Sequence, residues 1–170
     1  MFNFLPRSSR QWGHAALLAL ASAAFAGPAR AESADEAALT EAVAQLYRSL
    51  GSGDVAGFAA LVPAGGFSEF NTEAEGLQTL TMDYFRAVMT SGAKIALRVS
   101  DLQPRLLGGD TALVTGYRVG SITLPSGQRF DSRQALTMLW RKAPSQVGVS
   151  SASGAWQLLH VHLSEPGRPR

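Results

Sequence analysis

Hydrophobic and polar positions follow a helical period in the first half of the chain. Apolar residues of the first segment recur three or four positions apart, at Leu39, Val43, Leu46 and Leu50. This spacing places them on one face of an α-helix. Ser33 and Glu36 form a capping-box pair at its start, and Gly51 and Gly53 are expected to end it.

Two shorter helices are predicted next. Asp54 is an N-cap for the second helix, whose apolar side chains Val55, Phe58, Leu61 and Val62 face inward until Pro63 stops it. A short extended piece, Gly65–Asn71, follows. The third helix is predicted over Leu77–Thr90. Its buried face comprises Leu77, Leu80, Phe85, Val88 and Met89.

From Lys94 the period changes to two, which is typical of half-buried strands. A Gly-Asp turn near Asp110 and the Pro125–Gly127 turn separate long strands, and a loop over Ala143–Ala155 precedes the last strand, Trp156–Ser164. Three helices followed by a meander of about four antiparallel strands predict an α+β fold.

Gly116 and Gly120 lie within one long strand, where glycine permits the bends of a strongly curved sheet. We therefore expect a cone-shaped antiparallel or mixed sheet packed on the three N-terminal helices. Such a cone has an open mouth, which is a natural place for a small-molecule pocket.

Residues 1–31 have the features of a signal peptide. Arg7 and Arg10 precede an apolar run of about a dozen residues, and Ala29-Arg30-Ala31 offers small residues at a cleavage site, with Ala24-Phe25-Ala26 as an earlier alternative. The run is shorter than the ~20 residues of a transmembrane helix. The sequence therefore predicts a periplasmic or secreted domain over residues 32–164 and a disordered tail over 165–170.

Cleavage after Ala31 changes the charge balance. It leaves 139 of the 170 residues and removes three arginines, so Lys and Arg fall from 15 to 12 against 13 Asp and Glu, and the net charge from +2 to −1. No basic stripe remains, which argues against a nucleic-acid partner. There is no cysteine for a disulfide or a lipid anchor.

His160 and His162 are two positions apart in the last strand, on the face that strict alternation also gives to Trp156, Leu158 and Ser164. Zinc or iron would need a third ligand, and the mature chain has no Cys and no further His, so no metal and no cofactor are predicted. The two histidines are expected to brace or line a cavity. General acid/base catalysis by either is the alternative.

The chain resembles the SnoaL-like, nuclear transport factor 2-like superfamily, which includes ketosteroid isomerase and the association domain of calcium/calmodulin-dependent kinase. The matching segments are "AVAQLYRSLGSGDVAGFAALV", "GGDTALVTGYRV", "ALTMLWRK" and "GAWQLLHVHLS". This resemblance implies the cone-shaped fold, which hosts enzymes, binding modules and oligomerisation hubs alike.

The catalytic positions of ketosteroid isomerase, a Tyr, an Asp base and a protonated Asp, do not carry over. On the resemblance they fall on Leu46, Phe70 and Leu136, which are all apolar. Tyr47 and Glu69 are each one residue away. Steroid-isomerase chemistry is therefore not expected.

The kinase association domain has arginines inside the cone that form an anionic-ligand pocket. Arg118, eight residues after Asp110, matches one of them, whereas the others fall on Met138 and Leu163. Arg118 is alternatively an ordinary exposed arginine, or one paired with Glu69 or Asp131. The candidate ligand-binding residues are Arg118, Tyr47, Phe70, Tyr117, Arg133 and Trp140.

Three functions remain open from the sequence. The favoured one is an exported homodimeric domain that binds an unknown small, largely apolar molecule in the cone. The second is a pocket enzyme, such as an isomerase or dehydratase, that uses His160 or His162. The third is a homo-oligomerisation module without a ligand.

Overall fold

The computed structural model describes residues 33–71, 76–143 and 155–166. The predicted signal peptide, most of the predicted loop between Ala143 and Ala155, and residues 167–170 of the predicted tail lie outside these ranges. Within them, no helix is long and apolar enough to cross a membrane.

The first helix forms as its sequence predicts. Helix α1 spans Ala34–Ser52, and its capping box is complete, because Glu36 N donates to Ser33 Oγ at 3.2 Å and Ser33 N donates to Glu36 Oε2 at 2.9 Å. Gly53, in the left-handed conformation at φ 72°, ends the helix, whereas Gly51 lies within it.

Helix α2 spans Val55–Ala59 and is capped by Asp54 as predicted. The third helix is shorter than expected. Helix α3 spans Met82–Thr90, and the preceding segment, Gln78–Leu80, is a strand. The predicted start at Leu77 is therefore wrong, and Leu77 is 68% exposed rather than buried. Thr81 sets the boundary, because its side chain accepts a hydrogen bond from Tyr84 N and so caps α3 one turn later.

One six-stranded sheet contains all the strands, in the order β2-β1-β6-β5-β4-β3. Their bounds are β1 Phe67–Phe70, β2 Gln78–Leu80, β3 Lys94–Leu106, β4 Thr111–Thr123, β5 Arg129–Lys142 and β6 Trp156–Ser164. The predicted antiparallel meander corresponds to β3–β6. Strand β1 pairs parallel to β6, which makes the sheet mixed, and β2 adds an antiparallel edge.

The hydrophobic core lies between α1 and one face of this sheet, called the inner face below. From α1, Leu39 and Val43 are fully buried against Val114, Met138 and other inner-face residues. The opposite, outer face carries no helix among the described residues. The molecule is therefore an α+β domain with its helices on one side of a curved, unclosed sheet.

Irregularities in β3 and β4 bend the sheet. The β3–β4 register shifts between Ser100 and Gln103, and Asp101 adopts φ 53° there. Gly116 lies opposite this bulge, where a Cβ atom would be 2.8 Å from the Ser100 carbonyl oxygen. Gly120 adopts φ 140°, and a Cβ there would lie 1.9 Å from the Ala96 carbonyl oxygen. Both glycines permit approaches that a side chain would block, as expected for a curved sheet.

A second irregularity changes which side chains of β6 face the core. His160 pairs with Leu139 and Leu158 pairs with Trp140, so Leu159 is an extra residue. One extra residue turns every later side chain of the strand to the opposite face of the sheet. The core therefore takes Trp156 and Leu158 before the bulge, and Val161 and Leu163 after it. The predicted single face shared by Trp156, Leu158 and both histidines is wrong.

Candidate functional site

A cavity of about 650 Å³ opens between α3 and the inner face of the β4–β5 hairpin. Its size is typical of small-molecule sites. Residues from both sides line it, among them Tyr84, Ala87, Val88, Arg118, Ile122, Leu124, Phe130, Ser132, Arg133, Gln134 and Glu165.

Arg118 supplies the positive charge at the inner end of this cavity. It lies opposite Gln134 across the β4–β5 ladder, and its Nη2 donates to Gln134 Oε1. Ser132 Oγ donates to the same oxygen at 3.1 Å. Arg118 Nε is buried and has no hydrogen-bond partner among the described residues. None of the ion pairs found in that part of the chain involves Arg118.

Tyr47 and Glu69 lie close to Arg118 on the core side. Burial raises the pKa of Tyr47 from 10.0 to about 12. The positive charge of Arg118 and a side-chain hydrogen bond with it oppose this shift, and the negative charge of Glu69 adds to it. Asn71 Nδ2 donates to Glu69 Oε1 at 2.7 Å. A neutral phenol, a carboxylate and a guanidinium therefore meet where α1, β1 and β4 converge.

The predicted ligand-binding residues fall into three groups. Arg118 lines the inner end of the cavity, and Arg133 is exposed at its mouth. Tyr47 is buried behind Arg118. Trp140 is fully buried in the core, does not line the cavity, and its Nε1 has no hydrogen-bond partner among the described residues.

The remaining predicted site residues lie on the outer face. Strand register places Phe70 beside His162 and Ser68 beside His160. The ring of Phe70 meets that of His162 edge to face, with centroids 5.5 Å apart, and Ser68 Oγ lies 2.8 Å from His160 Nδ1. Tyr117, 40% exposed, alternates with the inward Arg118 on β4. The expectation that His160 and His162 line the cavity is therefore wrong, because the β6 bulge places both rings on the outer face of the sheet.

No metal centre is apparent in the described residues, where no group of three or more His, Cys, Asp or Glu could hold an ion. The polar groups at the inner end of the cavity are instead suited to hydrogen bonding. Arg118 and Ser132 can donate, and Gln134 can both donate and accept.

Sequence reasoning missed Gln134, Ser132, Ile122 and Phe130 as cavity residues, although a signal for them was present. The turn Pro125–Gly127 centres the β4–β5 hairpin on Ser126, so a symmetric ladder pairs residue 118 with 134, 120 with 132 and 122 with 130. Period-two alternation then places these pairs on one face. Side chains from α3 could not be found this way, because hairpin symmetry says nothing about which helix lies across the cavity.

Structural comparison identifies the fold. The association domain of CaMKII from C. elegans superposes with a TM-score of 0.59 at 17% identity, over 78% of this chain and 97% of that one. An NTF2-like protein of unknown function in nutrient uptake from Rhodospirillum rubrum gives 0.59 at 19% identity, over 76% and 98%. A ketosteroid isomerase-like protein from Erwinia carotovora gives 0.57 at 15% identity, over 77% and 95%.

The chain therefore has the nuclear transport factor 2-like fold, as its sequence predicts. No family model and no curated protein matches the sequence. Identities of this size establish the fold alone, and any function has to be argued from the side chains.

None of the three residues aligned with catalytic positions of ketosteroid isomerase lines the cavity. Leu46 and Leu136 are buried in the core. Phe70, aligned with the base, is on the outer face, whereas Glu69 pairs with the buried Val161 and lies near Tyr47 on the inner side. Tyr47 and Glu69, each one residue away from an aligned position, are thus the polar residues that lie on the inner side.

Proposed function

We propose that this protein is a small-molecule binding domain whose ligand places a hydrogen-bond acceptor, such as a carboxylate, against Arg118. The observation that carries the proposal is Arg118, a half-buried arginine that lines a 650 Å³ cavity and belongs to none of the ion pairs found among the described residues. A guanidinium presents several N–H donors in a geometry that matches a carboxylate. A carboxylate of the ligand would supply the anionic partner that Arg118 lacks in this part of the chain.

The surroundings of Arg118 favour a ligand that combines this acceptor with an apolar body. Gln134 accepts from Arg118 Nη2, and Ser132 donates to the same Gln134 oxygen, so these two residues hold the guanidinium in place beside the cavity. Val88, Ile122 and Phe130 supply apolar walls to the same cavity. Hydrogen bonds involving a charged group are worth about 1.5–3 kcal/mol, so the Arg118 contact would contribute substantially to the binding of a small ligand.

Thermal-shift measurements with a panel of monocarboxylates and the matching primary amides test this proposal. Millimolar ligand is expected to raise the melting temperature of the wild type by several degrees through preferential binding to the folded state. Arg118→Gln should abolish the shift. Arg118→Lys should weaken it, because Lys keeps the charge but lacks the planar guanidinium with its several N–H donors.

Arg98→Gln is the matched control, since Arg98 is an exposed strand arginine of β3 that does not line the cavity. Its ligand-induced shift should equal that of the wild type. A panel that shifts neither protein, or one that shifts wild type and Arg118→Gln equally, would contradict the proposal.

The alternative of a pocket enzyme that uses His160 or His162 has less support. Both histidines are on the outer face, whereas the cavity is on the inner face. General acid/base catalysis requires the group to reach the transferred proton directly or through one water. A reaction inside the cavity would have to use other residues.

We also propose that the domain is a homodimer formed through the outer face. Phe70 and Tyr117 are exposed there, and neighbouring outer-face positions of β5 and β6 are only partly exposed. Apolar patches of this kind mark interaction surfaces. Structures with this fold include proteins named association domains and hubs, which supports assembly and also the alternative of an oligomerisation module.

Export remains a proposal based on residues 1–31. Mass spectrometry of the protein recovered from the periplasm or medium of an expressing bacterium tests it. We expect a mature N-terminus at Glu32, or at Gly27 if the earlier site is used. Recovery of the uncleaved chain from the cytoplasm alone would contradict export.

A further inference from the structure

The polarity of the cavity wall changes in steps along the β4–β5 hairpin. The innermost cross-strand pair is Arg118 and Gln134, the next is Gly120 and Ser132, and the third is Ile122 and Phe130. Residues two apart along a strand are separated by ~6.6 Å, so the first and third pairs are about 13 Å apart. Over that distance the side chains of these three pairs pass from charged and polar to apolar.

The apolar end of this gradient is exposed at the mouth. Leu124, Phe130 and Tyr84, which we call the apolar rim, are 36%, 48% and 52% exposed and all line the cavity. Leu124 and Phe130 come from the hairpin, and Tyr84 faces them from α3. Exposed aromatic and aliphatic side chains around an opening mark a binding surface.

The inward-facing pairs of the hairpin thus have their polar members innermost and their apolar members towards the entrance, where the exposed Asp131, Arg133 and Glu165 also line the cavity. A compact apolar ligand would meet Arg118 at the inner end and leave the rim in water. A compact polar ligand would satisfy Arg118 and also leave the rim uncovered. A linear molecule with its acceptor at one end would contact both regions at once.

We infer that the ligand is a linear amphipathic carboxylate of the medium-chain acyl type, bound carboxylate-first with its tail over the apolar rim. The inference rests on the proposed function and specifies the class of ligand. The carboxylate accepts from Arg118, the first carbons pass Gly120 and Ser132, and the remaining chain covers Ile122, Phe130 and Leu124.

Isothermal titration calorimetry with propanoate, hexanoate, octanoate and decanoate separates the two proposals. Each methylene buried on the rim should raise affinity about three- to fourfold, given the free energy of burying one CH₂. Propanoate should bind weakly and octanoate at least tenfold more tightly. Octanol, which has the tail without the carboxylate, should bind more weakly than octanoate.

A rim variant locates the tail. Leu124→Ser combined with Phe130→Ser should reduce octanoate affinity at least tenfold and leave propanoate affinity within twofold of the wild type. Unchanged propanoate binding shows that the variant is folded and that Arg118 is still available. Leu77→Ser is the matched control, because Leu77 is exposed but does not line the cavity, and it should bind octanoate like the wild type.

The outcomes distinguish the two proposals. The acyl-ligand inference is wrong if propanoate and octanoate bind with equal affinity, or if the rim variant leaves octanoate affinity unchanged. Either result is still compatible with the proposal that a carboxylate binds Arg118. A rim variant that changes the oligomeric state without changing octanoate affinity assigns the rim to a protein contact and also overturns the acyl-ligand inference. Absence of binding by any carboxylate overturns both proposals.

Discussion

At the scale of single residues, Tyr47 connects the hydrophobic core to the charged inner end of the cavity. It lies four positions after the buried Val43 on α1 and close to both Arg118 and Glu69. Since its pKa rises to about 12 in the folded protein, mainly through burial, the neutral phenol is the form that the folded state favours.

This shift predicts a loss of stability at alkaline pH. With a pKa near 10 in the unfolded chain and about 12 in the folded one, the contribution is fully present below pH 10 and is lost as pH rises through 12. Relative to Tyr47→Phe, the wild type should lose about 1.4 kcal/mol of unfolding free energy between pH 9 and pH 11. Urea denaturation of both proteins at each pH measures the difference.

The comparison contains its own control, because between pH 7 and pH 9 the difference between wild type and Tyr47→Phe should stay constant. Parallel loss of stability by the two proteins above pH 9 would show that other groups dominate, and that Tyr47 does not resist ionisation in the folded state.

The sequence predicts individual cavity residues better than it predicts how the elements around the cavity pack. Arg118 was predicted as a pocket residue and lines the cavity. Its partner Gln134 follows from hairpin symmetry about Ser126. Glu69 could not be assigned to the inner side in the same way, because β1 has only four residues and its facing is set by parallel pairing with β6, about 90 positions away.

At the scale of elements, the glycines of β4 decide whether the sheet can bend. Gly120→Ala is expected to destabilise the protein by about 2 kcal/mol or more, since it combines an unfavourable φ of 140° with a Cβ only 1.9 Å from the Ala96 carbonyl oxygen. Chemical denaturation gives the free energy of unfolding.

Two other glycines separate the contributions of conformation and contact. Gly127→Ala has an unfavourable φ of 86° but no neighbour within 4 Å, so it should cost about 1 kcal/mol. Gly108→Ala has open space and no unfavourable φ, and should stay within about 0.5 kcal/mol of the wild type. Equal effects at Gly120 and Gly127 would mean that the close approach to β3 does not constrain the sheet.

Element prediction succeeded where the signal is local and failed where pairing is long-range. The capping box of α1 and the β4–β5 turn each depend on a few adjacent residues, and both are confirmed. The bulge at Leu159 has no such local signal, because the alternation of "WQLLHVH" is compatible with either set of side chains facing the core. That one inserted residue separated the histidines from the cavity for which they were proposed.

At the scale of the whole molecule, the two surfaces of the curved sheet differ in what covers them. Its inner face holds the core and the cavity, while its outer face carries Phe70, Tyr117 and the two histidines without a covering element among the described residues. On this outer face, the four adjacent strands β3–β6 have up to 14 residues each and lie ~4.8 Å apart, so they provide an area on the order of 800 Å². That is about what each partner contributes to a stable interface.

Phe70→Glu with Tyr117→Glu should therefore convert a dimer into a monomer, because two carboxylates per subunit would be buried without partners. Light scattering coupled to gel filtration measures the mass. Leu77→Glu, which adds one carboxylate per subunit at an exposed site outside the sheet, should remain dimeric. Carboxylate binding by the monomeric variant would show that the two faces act independently, whereas a wild type that elutes as a monomer at micromolar concentration would contradict assembly through this face.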